Sequence, residues 1–544
     1  MPAELEVARE DEGRRGDLEF GTIARLVTIS ASRHGVRAAI VDGETTLSFV
    51  ELADEVRRAA RALLALGVAP GDRVAIWAPN SWQWEVAALA VHSVGAALVP
   101  INTRYKGEEA GYVLARSGAR LLFTVCDLLG ADLAAMVSSA GTILPDLEMI
   151  VALSGGASAD VLPWSAFLSV ASESSEAEAE ERALAVQPGD LSDILFTSGT
   201  TGNPKGVTAT HAQTLRAFRD WSDLVGLRPD DRYLVVLPYF HSFGYKAGWL
   251  ASLMMGATVF PQPFFDVDLT LRRVARDRIS VLPGPPALYQ SILARPGWRD
   301  HDLSSLRLAV TGAAVIPVEL VRRMRDELSF ETVVTGYGLT EATGVSTMCR
   351  AEDDPETIAT TSGRAIPGVE VRVADDSGSE VPRGEPGEVR VRGYTVTRGY
   401  LDDPGETANA IDAEGWLHTG DIGVMDERGY LRITDRKKDM FIVGGFNAYP
   451  AEIERVLGTH PAIAQAAVVG APDPRLGEVG VAYVVLGAGA AVSPEEVISF
   501  CREKMANYKV PRRVEIVDSL PMNATGKVLK YLLRERARAS GTGV

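Results

Sequence analysis

Short apolar runs alternate with amphipathic helical stretches through the first ~180 residues. Phe49–Leu66 carries Leu52, Val56, Ala59 and Leu63 at helical spacing. The turn Gly67–Gly71 follows, then a strand-like run, Arg73–Trp77, and the strand texture returns at Ala97–Ile101 and Leu121–Val125. Strands separated by helices are joined by crossovers, which make them parallel and cover both faces of the sheet. An α/β fold with helix-covered parallel sheets is the expectation. Leu191–Thr197 reads as a further strand running into a Thr/Ser/Gly-rich loop, and Thr332–Thr335 as one ending in a glycine turn.

The texture changes twice. From Arg364 to Tyr430, β-rich pieces such as Glu370–Val373 and Glu388–Arg392 lie between Gly/Pro/Asp turns, which suggests a small antiparallel unit. After Asp435–Lys438 a β/α pattern resumes at Phe441–Val443, Ala466–Gly470 and Val479–Leu486. The expected organisation is a flexible leader over 1–20, a large N-terminal domain over 21–435, a domain boundary at 436–438 and a C-terminal domain over 439–544. Met1–Phe20 is charged and lacks an apolar core, so it reads as a frayed leader without a secretory signal. Ser172–Ala183 is acidic and of low complexity, which suggests a surface connector.

Composition narrows the function classes. A formal charge of −17 is unsuited to nonspecific binding of nucleic acid or an anionic membrane. Polyanionic ligands would need a local excess of base. From Cys501 onward ten basic residues face four acidic ones, although a solvated basic helix face would look the same. Cys126, Cys349 and Cys501 are far apart and odd in number, fitting a reducing cytoplasm better than a disulfide framework. The seven histidines show no metal-ligand spacing. The longest apolar stretch, Ala87–Pro100, is too short and too interrupted to span a bilayer.

Thr197-Ser198-Gly199-Thr200-Thr201-Gly202-Asn203-Pro204-Lys205-Gly206 gathers hydroxyls, glycines and one lysine. Such a loop can bring backbone N–H groups, hydroxyls and an ammonium to phosphate oxygens, or it can be a polar hairpin; it lacks the ending of a Walker A loop. Gly336-Tyr337-Gly338-Leu339-Thr340-Glu341 begins like a dinucleotide fingerprint but has Glu341 where the third glycine belongs. A tyrosine there can stack on a base and the carboxylate can hold Mg²⁺; a tight turn with an exposed acid is the plainer alternative.

Together with Trp416-Leu417-His418-Thr419-Gly420-Asp421, Thr434-Asp435-Arg436-Lys437-Lys438-Asp439 and Pro521-Met522-Asn523-Ala524-Thr525-Gly526-Lys527, these segments resemble the ordered signature of the adenylate-forming superfamily. The match runs from about residue 20 to about residue 535. The resemblance implies two parallel-type sheets with helices, a small antiparallel subdomain and a mobile α+β C-terminal domain. It implies ATP, Mg²⁺ and coenzyme A as ligands. Thr197, Ser198, Gly199, Thr200, Thr201, Gly202 and Lys205 would hold the β- and γ-phosphates. Gly312, Ala313, Ala314, Tyr337 and Gly338 would surround adenine, with Thr340 near the α-phosphate and Glu341 on the metal. Asp421 and Arg436 match ribose contacts, Lys527 the lysine bridging carboxylate and α-phosphate, and Lys438 the hinge. Gly444, Gly445 and Phe446 would line the pantetheine tunnel.

Pro238-Tyr239-Phe240-His241-Ser242-Phe243-Gly244 occupies the substrate-side motif, with His241 where amino-acid-activating domains resembling this chain carry an aspartate. An amino acid is thus disfavoured. No carrier-domain segment follows Lys527, so free CoA is the expected acceptor. His241, Phe243, Gly244, Tyr245, Lys246 and Trp249, with Phe260, Phe264 and residues near Gly284 and Thr343, would form the acyl pocket, Gly244, Gly248 and Gly284 leaving room for a bulky alicyclic or aromatic acid. Phe243-Gly244-Tyr245-Lys246-Ala247-Gly248, Thr347-Met348-Cys349-Arg350 and Gly444-Gly445-Phe446-Asn447 most resemble ligases that activate the hydrindanedione propanoate left by steroid-ring degradation. On that resemblance Lys246 is expected to face a ring ketone. A general medium-chain or aromatic acid remains the alternative within the class. A luciferase-like oxygenase and a noncatalytic scaffold are the alternatives outside it. The implied partners are a small carboxylic acid, ATP and CoA, with no nucleic acid and no membrane span; a homodimer is one assembly the resemblance allows.

Overall fold

The computed structural model describes Gly13 and residues 15–155, 160–197, 204–312, 316–436, 439–443, 446–473, 476–505, 507–522 and 528–539. The strands expected from the apolar runs order themselves as Leu162–Pro163, Met149–Ser154, Ala119–Val125, Arg73–Trp77, Ala97–Pro100, Leu191–Thr197 and Lys205–Thr210 in one sheet. Every neighbouring pair in it is parallel except the last, where Thr197 pairs antiparallel with Lys205. The first helix of this layer, Phe49–Ala65, starts where Ser48 and Glu51 close a reciprocal capping box. Helix Trp82–Ser93 is apolar on all sides and correspondingly buried on all sides after its first turn.

A second sheet runs Thr45–Ser48, Ala38–Asp42, Thr258–Pro261 and Arg232–Val235. Single bridges through Val281 carry it on to Leu308–Thr311, Thr332–Tyr337, Thr347–Met348 and Arg364–Ala365. The antiparallel unit expected over 364–430 is a meander of Val369–Ala374, Pro386–Gly393, Leu417–Met425 and Leu431–Arg436. Further along, Phe446–Ala448, Phe441–Val443, Gly477–Leu486 and Ile463–Asp473 form an antiparallel sheet, with Arg513–Ile516 added in parallel. Period-two alternation along Ile463–Asp473 sends Val468 into one cluster, with Ile453, Leu457 and Val497. Ala467 and Val469 enter another, with Leu533 and Ala537. No helix among the described residues is long and apolar enough to cross a membrane.

Two local expectations give way. The leader is not frayed up to Phe20: Gly16–Phe20 is helical, Phe20 is buried, and Glu19 pairs with both Arg33 and Arg219. Charge in those residues marks specific ion pairing rather than solvation. The acidic connector is also structured. Helix Glu176–Ala185 begins behind Ser175, whose hydroxyl accepts the Glu178 N–H, and Ala179 packs inward. Its acidic first turn complements the helix dipole.

Candidate active site

Gly336, inside strand Thr332–Tyr337, and Gly338, just past it, have no space for side chains. A Cβ on Gly336 would lie 2.2 Å from Met348 Sδ, and one on Gly338 would lie 2.3 Å from the Gly344 carbonyl oxygen. Glycine at both positions lets the chain pass this close to its neighbours, and the one-turn helix Thr340–Ala342 follows soon after the strand ends at Tyr337. Thr343 closes the turn at φ 56°, an unusual conformation for a β-branched residue, where its hydroxyl donates to the Thr395 carbonyl at 2.6 Å.

From there a chain of contacts links residues far apart in sequence. The Tyr337 hydroxyl donates to Asp421 Oδ2 at 2.6 Å, and Asp421 is 6% exposed. Across the meander Asp421 pairs in register with Arg436. The Tyr400 hydroxyl donates to Glu341 Oε1 at 3.1 Å, and burial together with the Glu341 charge pushes the Tyr400 phenol up. Lys205 Nζ lies 5.2 Å from the centre of the Tyr400 ring and pairs with Glu406. The structure therefore brings Thr197, Lys205, Tyr337, Thr340, Glu341 and Asp421 to one place, at the carboxyl ends of Leu191–Thr197 and Thr332–Tyr337 and beside the meander, with the backbone of Arg436 in register with Asp421. Gly312 follows the neighbouring strand Leu308–Thr311. Ligand sites in open α/β sheets lie at such strand ends. Ser198 through Gly202, Ala313, Ala314, Lys438, Gly444, Gly445 and Lys527 lie outside the described residues, and Phe446 contributes the first residue of strand Phe446–Ala448.

The substrate-side motif is held by a residue that the motif comparison missed. Asn80, buried at the end of strand Arg73–Trp77, donates through Nδ2 to the carbonyls of Val235, Leu237 and Gln262 at 2.9–3.2 Å. Its Oδ1 accepts the Tyr239 N–H at 2.8 Å. His241 follows this turn with its side chain exposed, and the protein around it holds its imidazole below its ordinary value. The Phe243 N–H donates to His241 Nδ1 at 3.2 Å, which favours the proton on Nε2.

Beyond His241 the chain forms a π-helix over Phe243–Leu250, a wide turn rare outside functional sites. Here the pocket expectations need correction. Tyr245, Lys246 and Trp249 are core residues. Tyr245 stacks on Trp249 with centroids 5.1 Å apart, and its hydroxyl lies 2.9 Å from His92 Nε2. Lys246 does not face a ligand; it is fully buried against Asp193, 2.9 Å away on strand Leu191–Thr197. Nor do the glycines leave room. A Cβ on Gly244 would strike the Pro238 and Leu237 carbonyls at 2.3 and 2.4 Å, one on Gly248 would meet Val235 at 3.0 Å, and Leu288 fills the space at Gly284. They permit close packing instead. Phe260 is buried under Arg232 and Arg273, and Phe264 is 39% exposed. Phe243 is half-buried, edge-on to Trp221.

Residues 27–401 match the AMP-binding enzyme family, and residues 452–527 match the AMP-binding enzyme C-terminal domain. The chain belongs to the AMP-binding enzyme family. Within the adenylate-forming superfamily it is an acyl-CoA synthetase. It is 50% identical over 512 residues to a methyl-dioxo-octahydroindenyl-propanoyl:CoA ligase of Rhodococcus jostii, spanning 94% of this chain and 97% of that one. It is 53% identical over 497 residues to the equally named enzyme of Mycobacterium tuberculosis, spanning 91% and 95%. Among solved structures it resembles the anthranilate CoA ligase AuaEII in complex with anthranoyl-AMP. The TM-score is 0.87 and the identity 28%, with 96% of this chain and 98% of that one covered.

Tyr400, Glu406, Asp193 and Asn80 escaped the motif comparison. Asn80 alone had a legible signal, an amide three residues past the carboxyl end of a predicted parallel strand.

Proposed function

We propose that this synthetase activates a bulky bicyclic propanoate carrying ring ketones, the hydrindanedione class, and transfers it to CoA. The observation that supports the substrate most is identity of half or more, over nine-tenths of the chain, to two relatives named for that acid. The contact chain from Lys205 to Arg436 supports the chemistry.

The donor set suits ATP and Mg²⁺. Among the described residues no three carboxylate, histidine or cysteine side chains converge to cage a metal. A single carboxylate, Glu341, together with phosphate oxygens is how Mg²⁺ is ordinarily held. Bound there, Mg²⁺ would neutralise phosphate charge as it builds. Tyr337 flanks the base, Gly336 and Gly338 let the turn that carries it pack against Met348 and Gly344, and Asp421 and Arg436 take the ribose hydroxyls. Thr197 and Lys205 take the terminal phosphates, with the loop 198–203 between them. A carboxylate oxygen of the acid attacks the α-phosphorus and the bond to pyrophosphate breaks, leaving the acyl-adenylate. Lys527, between the two anions, offsets their repulsion. His241, neutral at pH 7, orients the carboxylate as a donor through Nε2 without adding charge. The CoA sulfur then attacks the acyl carbon and AMP leaves. Rotation about Lys438 withdraws Lys527 and brings Gly444-Gly445-Phe446 to the site for this second step. A cytoplasmic homodimer is the setting this reading favours.

A panel of carboxylic acids assayed for CoA-dependent AMP formation tests the substrate. The bicyclic diketone propanoate should exceed medium-chain and aromatic acids in kcat/KM by at least about tenfold. Equal rates across the panel would return the assignment to a general acyl-CoA ligase. Lys527→Ala should abolish pyrophosphate exchange while leaving ATP binding nearly intact; unchanged turnover would overturn the mechanism.

A further inference from the structure

Lys205 has a partner within the protein itself. Its ammonium pairs with Glu406 Oε2. Several contacts hold that carboxylate in place. Asp403 caps the short helix Pro404–Ala410 by accepting the Glu406 N–H at 3.0 Å, and Asn409 Nδ2 donates to Glu406 Oε1 at 3.2 Å. The segment before that helix is fastened to the strand that leaves the phosphate loop. The Leu401 N–H donates to the Gly206 carbonyl at 2.7 Å and the Thr208 N–H to the Gly399 carbonyl at 3.2 Å. Arg116 adds donors to the Leu401 and Asp402 carbonyls at 2.8 and 3.0 Å. The carboxylate is thus carried on backbone that moves with Lys205 rather than past it.

We propose that Glu406 is a built-in counter-ion that occupies the phosphate-gripping lysine when the site is empty and competes with pyrophosphate for it after adenylation. The inference rests on the reading of Lys205 as a phosphate ligand. Both partners are partly exposed, 31% for Lys205 and 41% for Glu406, so the pair is easily displaced by a highly charged nucleotide. The same carboxylate repels the polyphosphate that displaces it. Once the bond at the α-phosphorus has broken, pyrophosphate is held by fewer contacts than ATP was, and return of Glu406 to Lys205 favours its departure. Glu406 is a positioning residue in this sense: it sets how tightly Lys205 holds phosphate, and it does not touch the reacting atoms.

The test uses Glu406→Gln and Glu406→Ala in the full chain. Wild type and variants are compared for KM for ATP, for KM for the acid, and for inhibition of CoA-thioester formation by inorganic pyrophosphate. Loss of the competing carboxylate should lower both KM for ATP and the pyrophosphate inhibition constant by about two- to fivefold, the range of a partly exposed ion pair, leaving KM for the acid unchanged. In a Lys205→Ala background the same substitutions should change neither value. An unchanged or raised pyrophosphate inhibition constant would overturn the inference, and a raised KM for ATP would mark Glu406 as a cation ligand instead. If Lys205→Ala alone left KM for ATP unchanged, the phosphate reading of Lys205 would itself fail, an outcome visible without any Glu406 variant.

Discussion

Lys246 offers the sharpest test of the structure against the motif reading, because the two place its ammonium in different surroundings. In the structure it is sealed against Asp193, with side-chain exposures of 1% and 0% and a separation of 2.9 Å. Removing one member of a buried ion pair leaves the other charge desolvated and uncompensated, which costs about 3–5 kcal/mol. Replacing both with apolar groups of similar volume is far milder and is often neutral. Lys246→Met should therefore lower the urea midpoint of the first transition by the larger amount. Asp193→Leu combined with Lys246→Met should recover most of the loss. Unfolding followed by both fluorescence and circular dichroism would check that one cooperative unit is being read, as a chain with several cores demands. If Lys246→Met kept its stability within about 1 kcal/mol and instead raised KM for a ketone-bearing acid alone, the buried pair would be refuted and a pocket role restored.

Two further outcomes concern a buried histidine and a crowded glycine. His211 is fully buried, desolvation pushes it down to about 4, and its Nδ1 accepts the Ile23 N–H at 3.3 Å. Its folded value lies below the unfolded one, so between about 6.5 and 4 the unfolded state binds the extra proton. Stability is then full above pH 6.5 and falls by up to about 1.4 kcal/mol per pH unit on acidification toward 4. His211→Gln keeps an acceptor without titrating, and urea melts across that window should show a shallower slope. Gly338→Ala puts a methyl 2.3 Å from the Gly344 carbonyl, so the turn carrying Tyr337 and Glu341 must shift. A stability loss of about 1–3 kcal/mol is expected, with KM for ATP raised by roughly tenfold and KM for the acid little changed.

Much of the fold was legible because burial imposes period. Arg73–Trp77 and Phe441–Val443 are strands with the bounds that their apolar runs predict, since a short buried strand has few other ways to satisfy both side chains and backbone. The acidic helix Glu176–Ala185 was missed because its stability comes from a serine cap and a single inward alanine, not from an apolar stripe. At the site, Tyr337, Glu341 and Asp421 announced themselves through glycine turns and strand ends. Asp193 and Glu406 did not, because an aspartate or a glutamate acquires its meaning from a partner about fifty to two hundred residues away. The acyl side shows the opposite error. Aromatic and glycine residues clustered around Tyr245 look like a roomy pocket in sequence, yet they are what tight aromatic packing also requires.

The π-helix over Phe243–Leu250 bears on how such enzymes acquire new substrates. A wide turn amounts to one residue more than an α-helix of the same span would use. Deleting a residue there would let the segment close into ordinary helix and rotate everything before it by about 100° relative to Ala251–Met255. Phe243 would leave its place beside Trp221. Single-residue insertions and deletions in this stretch, more than point substitutions, are the steps by which the same adenylating core could be turned toward acids of another shape.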